Sequence, residues 1–159
     1  MANHAPYDYY ESSDIIHRTA DICMSSGKPR DYGNGELYTS AELHILKYLV
    51  EHPGITATQF ALEWNKTRGA VVQMITKLEK AGLVYRSKET GNGRKVPIYP
   101  TEKGLELNEL HRAYDTEAFG RVYRQLAEHF SDEAVQTTLD ILQEYAEILR
   151  CTAHNAQGK

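Results

Sequence analysis

The feature that most constrains this sequence of 159 residues is a close succession of three helix starts. Thr39 and Thr56 each precede a helical pattern, and each stands three residues before a Glu or Gln, which is the spacing of a capping box. Thr67 then caps a third helix, whose apolar residues recur at intervals of three and four and predict one buried stripe: Val71, Met74, Ile75 and Leu78. The sequence therefore predicts short helices joined by tight turns in this region.

After these helices the pattern changes to that of strands. Gly82 suits the position that follows a helix end, and the segments LVYRSKE and RKVPIYP carry the β-branched and aromatic residues typical of strands. The glycine-rich segment TGNG between them predicts a hairpin turn. Because Pro97 lacks a backbone N–H, the second strand is expected at an edge of the sheet.

The regions on both sides of this block are predicted to be helical. A first helix is expected over residues 7–26, followed by a loop over residues 27–36; the apolar side of this helix would consist of Ile15, Ile16, Ala20 and Cys23. Two long helices are expected over residues 101–130 and 131–153. Their apolar stripes exceed what so small a domain covers, so they need a partner helix, most simply from a second copy of the chain.

Short helices joined by a tight turn and followed by a two-stranded hairpin form the winged helix-turn-helix arrangement, in which the second helix of the turn motif lies in the major groove of DNA. We therefore predict a mainly α fold with a small β-hairpin. The predicted parts are an N-terminal dimerisation helix and loop over residues 1–36, a winged helix-turn-helix DNA-binding domain over residues 37–101, and C-terminal dimerisation helices over residues 102–159.

The distribution of charge favours a polyanionic partner. The net charge is −4, but residues 64–103 hold nine Lys and Arg against three Asp and Glu, and both flanks are acidic. The residues predicted to contact double-stranded DNA are Thr67, Arg68, Gly69, Ala70, Gln73, Thr76, Lys77, Arg94 and Lys95. The alternative is a winged helix that binds another protein, which would lack the steep salt dependence of operator binding.

These residue types have different roles at a DNA surface. Small residues at the start of the third helix leave room for close approach to the groove, and Gln73 can pair with adenine. Arg68 and Lys77 can reach guanine or phosphate. Arg94, at the predicted hairpin tip, can enter a narrow and electronegative minor groove.

Four segments carry a family resemblance: LYTSAELHILKYL, GITATQFA, TRGAVVQMITKLEKAGLVYR and PTEKGLEL resemble the MarR family of bacterial transcriptional regulators. The resemblance implies a homodimer with interlocked terminal helices that binds a pseudo-palindromic operator, commonly as a repressor. It also implies release of DNA when a small anion, a metal or an oxidant acts on the dimer. The sequence departs from the family at the wing, which reads GNGRKV instead of an Asp-Arg-Arg-like segment, and at Val72, where a serine is frequent.

Three hypotheses describe the signal that such a regulator would sense. The first is a small organic effector in a cleft between the dimer helices and the winged helix. Aromatic residues expected near this place are Tyr7, Tyr9, Tyr10, Tyr32 and Tyr38, and the alternative is that they are packing or surface residues.

The second hypothesis is zinc sensing, because the resemblance places His44 and His111 close to the positions that bind zinc in one branch of the family. Asp115 lies one helical turn after His111, so the two share a face that suits a metal, and Asp21 or Cys23 would complete the set. The alternative is a structural role for His44. The third hypothesis is redox sensing through Cys23, as in peroxide-sensing relatives, and its alternative is that Cys23 is a small buried apolar residue.

Enzymatic activity is not expected from this sequence. Its seven histidines are scattered, and it contains no glycine-rich phosphate loop and no metalloprotease spacing. The N-terminal residues have no apolar segment typical of a signal peptide, no run has the length of a membrane span, and two cysteines form no disulfide framework. These features predict a cytoplasmic protein.

Overall fold

The computed structural model of the chain describes residues 8–25, 28–87 and 96–157. Within these ranges the helices are α1 (Tyr9–Ser25), α2 (Ser40–Glu51), α3 (Ala57–Glu63), α4 (Arg68–Lys80), α5 (Glu102–Leu126) and α6 (Asp132–Gln157). The strands are β1 (Arg30–Asp31), β2 (Leu37–Tyr38), β3 (Val84–Arg86) and β4 (Ile98–Pro100). The prediction of a mainly α fold with a small β-hairpin is confirmed.

Both predicted capping boxes are present. At α2, the Glu42 N–H donates to Thr39 Oγ1 at 3.3 Å, and the Thr39 N–H donates to the Glu42 carboxylate at 2.8 Å. At α3, Thr56 and Gln59 make the same reciprocal pair. These bonds satisfy N–H groups that the helix backbone leaves free, so the starts of both helices are determined by residues that are close in sequence.

The turn between α3 and α4 is short and contains a residue in the left-handed region. Asn65 has a φ of 46°, a conformation that asparagine adopts more readily than most residues. The Lys66 N–H donates to Ala61 O at 2.9 Å, and Thr67 Oγ1 accepts from the Ala70 N–H at 3.2 Å. The chain therefore reverses after α3 and starts α4 at the predicted residue.

Apolar residues from α2, α3, α4, the strands β3 and β4 and the start of α5 form one core. Its most deeply buried members are Leu43, Leu46, Leu49, Phe60, Val71, Ile75, Leu78, Leu83, Val84, Ile98 and Leu107. Aromatic contacts extend the core between α2 and α3, where Tyr48 packs edge to face on Phe60 and Trp64 at centroid distances of 5.2 and 5.5 Å. This core determines which face of α4 points outward.

β3 and β4 pair antiparallel, and Tyr85 lies opposite Tyr99. The prediction of an edge position for the second strand is wrong. On its other side Ile98 O accepts from the Gly54 N–H at 2.8 Å, and the Ile98 N–H donates to Ile55 O at 3.0 Å. Pro97 lacks an N–H, but the next residue supplies the donor that joins the strand to the segment after α2. The hairpin tip, TGNG, lies outside the described residues.

A second, smaller hairpin includes most of the predicted loop of residues 27–36: β1, inside that loop, pairs antiparallel with β2, which directly follows it. Asp31 Oδ1 accepts hydrogen bonds from the N–H groups of Gly33, Asn34 and Gly35 at 2.8, 3.1 and 3.0 Å. The bonds from the two glycines are the main reason that the pKa of Asp31 lies below its ordinary value. One carboxylate thus organises the turn of this hairpin.

The terminal helices differ slightly from the predicted bounds. α5 ends at Leu126, a few residues before the predicted end, and Ser131 Oγ accepts from the Ala134 N–H at 3.2 Å to cap α6, which extends to Gln157. Most side chains of α1 and α6 that the structure describes are exposed. None of the helices in the described ranges combines the length and the apolar character that crossing a membrane requires.

Candidate nucleic-acid interface and effector region

α4 is held in the core by one face and exposes the opposite face. Val71, Ile75 and Leu78 are almost completely buried, whereas Arg68, Gly69, Val72, Gln73, Lys77 and Lys80 are exposed. Ala70 and Thr76 are half-buried. The predicted contact residues of this helix therefore lie outward or at the edge of the outward face, and the 3.6-residue period separates them from the core.

The start of α4 combines positive charge with free backbone N–H groups. Thr67 and Arg68 line a small cleft of about 270 Å³ together with Lys66 and residues of α3. Thr67 uses its hydroxyl to bond Ala70, but the first N–H groups of the helix have no intrahelical partner, as in every helix. A Cβ placed on Gly69 would meet nothing within 4 Å, so a partner can approach the backbone there.

Lys77 is not free on this face. Its ammonium lies 2.6 Å from a carboxylate oxygen of Glu42, the capping-box residue of α2. Burial raises the pKa of Glu42, but the bonds from Lys77 and Thr39 outweigh burial, and the pKa lies below its ordinary value. The ion pair joins α2 to α4 across the helix-turn-helix unit, which the sequence reasoning did not foresee.

Arg86, on β3, joins the hairpin to α4. It forms an ion pair with Glu79 and donates to Thr76 Oγ1 at 3.0 Å. Thr76 in turn donates its hydroxyl to Val72 O at 2.7 Å. Thr76 was predicted to contact DNA, and in the structure its hydroxyl is already bonded in both directions.

The positive block of residues 64–103 is thus partly neutralised within the chain. Three of its described cations form ion pairs: Lys77, Arg86 and Lys103, the last with Glu36 at 2.8 Å. Lys66, Arg68 and Lys80 have no ion-pair partner in the part of the chain that the structure describes. Arg94 and Lys95 lie outside the described residues, so their predicted contacts stay predictions.

A separate polar cluster lies where α2 packs on α5. His44, His111 and Asp115 offer ligand atoms that all lie within 4.8 Å of one another, and the rings of His44 and His111 meet edge to face. His111 is 2% exposed, and no hydrogen bond reaches its Nε2 from the described residues. This atom lies 3.1 Å from an Asp115 carboxylate oxygen, in a geometry that does not make a hydrogen bond.

Electrostatics favour a neutral imidazole at this place. Burial lowers the pKa of His111 below its ordinary value, and the carboxylate of Asp115 opposes this effect only in part. A neutral imidazole with an unbonded nitrogen is the form that accepts a hydrogen bond or ligates a metal.

A cleft of about 600 Å³ opens beside this cluster, between α2 and α5. Its lining includes charges of both signs: Lys47, Glu51, Glu109, Arg112 and Asp115. The volume lies within the range of small-molecule sites. The cleft is in the region where an organic effector was expected, between a helix of the winged helix and a terminal helix.

The tyrosines proposed for that effector do not line this cleft. Tyr32 and Tyr38 are 8% and 5% exposed and belong to the core, whereas Tyr9 and Tyr10 are exposed on α1. Tyr7 lies outside the described residues. Packing and surface exposure therefore account for the four described tyrosines, because Tyr32 packs edge to face on both His111 and Tyr114.

Cys23 is exposed on α1, so the chain itself does not bury it as a small apolar residue. The reason is that few side chains of α1 are covered by the rest of the chain. Asp21 is exposed on the same helix, and neither residue belongs to the His44, His111 and Asp115 cluster. The redox hypothesis for Cys23 stays a prediction.

The tight α3–α4 turn, the outward face of α4 and the β3–β4 hairpin together define a winged helix-turn-helix protein. Comparison with known proteins agrees with this fold: residues 38–96, which span most of the winged helix-turn-helix region, match the MarR family.

Curated relatives share this region. The HTH-type transcriptional regulator YhjH of Bacillus subtilis is 27% identical over 105 residues, which are 66% of this chain and 59% of the relative. The homoprotocatechuate degradative operon repressor of Escherichia coli is 28% identical over 107 residues, which are 67% of this chain and 70% of the relative. The matched region thus spans less than two thirds of YhjH. Both relatives are regulators, in agreement with the prediction that the chain is not an enzyme.

Solved structures share the fold over most of the chain. The transcriptional regulator SlyA superposes with a TM-score of 0.70 at 20% identity, covering 94% of this chain and 99% of SlyA. Streptococcus pneumoniae FabT, in complex with DNA, superposes with a TM-score of 0.63 at 18% identity, covering 90% of this chain and 95% of FabT. At these identities the similarity establishes the fold.

Proposed function

We propose that this protein is a sequence-specific DNA-binding regulator of transcription that acts as a homodimer on a pseudo-palindromic operator, most simply as a repressor. The observation that carries the proposal is the outward face of α4, where Arg68, Gly69 and Gln73 are exposed on a helix fixed by a buried stripe. A helix presented in this way by a helix-turn-helix unit enters the major groove. The DNA in the FabT structure and the repressor among the relatives support the same proposal.

The proposed homodimer is supported by the apolar surface of the terminal helices. Large apolar side chains of these helices are exposed in the single chain: Ile15, Ile22, Phe119, Val122, Ile141, Leu142, Ile148 and Leu149. So much apolar surface on three helices is typical of an association surface. Two copies related by a two-fold axis would present two α4 helices to two half-sites of DNA.

The direct test measures binding of the full chain to the DNA upstream of its own gene by fluorescence anisotropy across a salt titration. Steep weakening with rising salt, together with preference over a scrambled duplex, is expected. Arg68→Ala should weaken binding to all sequences and reduce the salt slope by about one. Arg112→Ala is the matched control, because Arg112 is an exposed arginine on α5, away from α4. Equal binding to operator and scrambled DNA would contradict the proposal.

Base recognition is tested separately. Gln73→Ala should relax the preference at one base pair in each half-site, at a cost of about 1–3 kcal/mol. An equal loss on every sequence would assign Gln73 to the DNA backbone instead. Arg94→Ala should weaken binding most where the flanking DNA is rich in A and T, and an unchanged affinity there would remove the proposed minor-groove contact.

We further propose that an effector acts in the cleft between α2 and α5, because this cleft joins the winged helix to a terminal helix. A small organic molecule with an anionic group could pair with Lys47 and Arg112, which line the cleft, in place of their present ion-pair partners Glu51 and Glu109. An occupant that alters the packing of α2 against α5 would change the spacing of the two α4 helices in the homodimer. A thermal-shift screen of small aromatic and aliphatic carboxylates tests which molecule is the effector. A carboxylate that binds in the cleft should raise the Tm of the wild type and leave the Tm of Lys47→Ala unchanged.

The second candidate function is metal sensing at the same place. The unbonded, buried Nε2 of His111 and the ligand atoms of His44 and Asp115 fit a divalent ion such as zinc, which prefers imidazole and carboxylate ligands. These three residues come from α2 and α5, so a bound ion would fix the angle between the two helices. The ion would serve as a cross-link that supplies no chemistry of its own.

Isothermal titration with zinc alone tests this candidate. His111→Ala should abolish binding that the wild type shows, whereas His129→Ala, at an exposed histidine after α5, should leave it unchanged. Zinc binding should also raise the Tm of the wild type by mass action. Equal heats for the wild type and for His111→Ala would remove the metal from the proposal and leave the organic effector.

A further inference from the structure

Val72 is an apolar residue in the middle of the outward face of α4. Its side chain is 39% exposed, whereas Val71 beside it is completely buried in the core. Two adjacent valines therefore have different roles, because Val71 holds the helix against the core and Val72 is free to contact a partner. Val72 lies about one helical turn after Gly69 and one turn before Thr76. It is on the face of α4 that the proposed function assigns to the major groove.

The polar groups around Val72 are already bonded within the chain. The Thr76 hydroxyl donates to Val72 O at 2.7 Å and accepts from Arg86 at 3.0 Å. Arg86 is also paired with Glu79. These bonds engage the Thr76 hydroxyl and the Arg86 guanidinium, which could otherwise hydrogen-bond a base at the centre of this face of α4.

The turn before Val72 leaves space. Gly69 has no side chain, and a Cβ built on it would meet no atom within 4 Å. The centre of this face therefore combines an open turn, an exposed isopropyl group and the amide of Gln73. An open turn lets the helix approach closely, and an isopropyl group in the major groove favours an apolar group on the base edge.

The apolar group that the major groove offers is the C5-methyl of thymine, and contact with it separates thymine from cytosine. We propose that Val72 contacts the C5-methyl of one thymine in each operator half-site and is a specificity-determining residue beside Gln73. The inference rests on the proposed function. The thymine is expected within one base pair of the adenine assigned to Gln73, because the two side chains are adjacent on one helix.

The experiment first selects duplexes from a random library with the full chain, and then replaces each thymine of the selected half-site by uracil, which removes only the methyl group. Dissociation constants are measured by fluorescence anisotropy for the wild type and Val72→Ala. With the wild type, uracil at one thymine should weaken binding about fourfold per half-site, the effect of one buried methyl group. Val72→Ala should lose about as much on the thymine duplex, and uracil should then have no further effect.

Leu105→Ala is the matched control, because Leu105 is an exposed apolar residue of α5, and its thymine-to-uracil ratio should equal that of the wild type. Thermal unfolding of Val72→Ala verifies that the variant is folded. If Val72→Ala weakens the thymine and uracil duplexes equally, or if no uracil changes wild-type binding, the role of Val72 is overturned while the regulator stands. If the library yields no preferred duplex, the proposed function fails, and the role of Val72 fails with it.

Discussion

The winged helix and the terminal helices differ in where their apolar side chains lie. In the winged helix, residues such as Leu46, Phe60 and Ile75 have no exposed surface. In α6, Ile141, Leu142 and Ile148 have about the same apolar character, but each is exposed. The same hydrophobic effect acts on both regions, so they differ in which side chains are there to pack against. The apolar side chains of the winged helix pack against others of the same chain, whereas these three side chains of α6 stay exposed in the single chain.

The difference predicts two kinds of stability within one polypeptide. A core closed within the chain unfolds with a free energy that does not depend on protein concentration. A surface covered by a second copy contributes a free energy that rises with concentration. α5 belongs to both regions, because its first turns bury Gly104, Leu107 and His111 and its later turns expose Phe119 and Val122.

The largest effect is expected at Phe60, the bulkiest side chain that is completely buried. Phe60→Ala should lower the free energy of unfolding by about 3–5 kcal/mol, through lost burial and the cavity left between α2 and α3. Urea titration followed by circular dichroism measures this loss at several protein concentrations. Leu62→Ala, on the exposed side of α3, is the control and should cost less than about 1 kcal/mol. A similar loss at both positions would contradict the description of a closed core.

Gly104 tests the junction between the two regions. A Cβ at this position would lie 2.1 Å from Leu83 O, a backbone atom that cannot move away cheaply. Gly104→Ala should therefore separate the start of α5 from Leu83, the residue before β3, and lower the free energy of unfolding by about 2–3 kcal/mol.

Gly120 is the matched control for this prediction, because it lies on the same helix in the exposed part. Its nearest atom to an added Cβ is Arg124 Nη1 at 3.9 Å. Gly120→Ala should stabilise the protein by up to about 1 kcal/mol, since alanine favours helix more than glycine does. Stabilisation by both substitutions would show that α5 does not pack against Leu83 as described.

The parts of the fold that the sequence predicted are those determined by neighbours in the chain. Thr39, Thr56 and Thr67 have their partners within three residues, and the buried stripe of α4 follows from its 3.6-residue period. The features of the fold that the sequence did not predict depend on contacts between residues far apart in the chain. Ile98 accepts from the Gly54 N–H and donates to Ile55 O, and these two bonds remove the edge position of β4, although nothing near Pro97 in sequence indicates them.

The same distinction applies to the candidate site. The outward position of Arg68 and Gln73 is a property of one helix and could be predicted. The pairing of Lys77 with Glu42 could not be predicted, because it requires the angle at which α2 crosses α4. His111 and Asp115 could be placed together by their spacing, whereas the approach of His44 depends on the packing of α2 against α5.

Leu142 tests the region without a partner in the chain. Leu142→Ala should reduce the free energy of the proposed dimer by about 1–2 kcal/mol per protomer, since the substitution removes part of an exposed apolar surface. The Tm of the wild type should rise with protein concentration. Leu142→Ala should need a higher protein concentration than the wild type to reach the same Tm. Gln143→Ala changes the adjacent polar residue and should leave the curve unchanged. A wild-type Tm independent of concentration, with a monomeric mass by light scattering, would contradict the homodimer.

The smallest effect is expected at the surface of the winged helix. Glu42→Gln keeps a capping-box residue, as Gln59 does in α3, but removes the charge that pairs with Lys77. Because the pKa of Glu42 is lowered in the folded protein, its charged form stabilises the fold above its ordinary pKa, and this stabilisation is lost as the pH falls through the folded value.

Solvent screens the ion pair between Glu42 and Lys77, since the Lys77 side chain is 70% exposed, so a cost of about 0.5 kcal/mol is expected at pH 7. Urea titrations from pH 7 downward should show the wild type and the variant converging as the pH falls below the ordinary pKa of a glutamate and through the lowered folded pKa. A difference that persists at low pH would assign the effect to the hydrogen bonds of the cap, and the ion pair between α2 and α4 would then contribute nothing to stability.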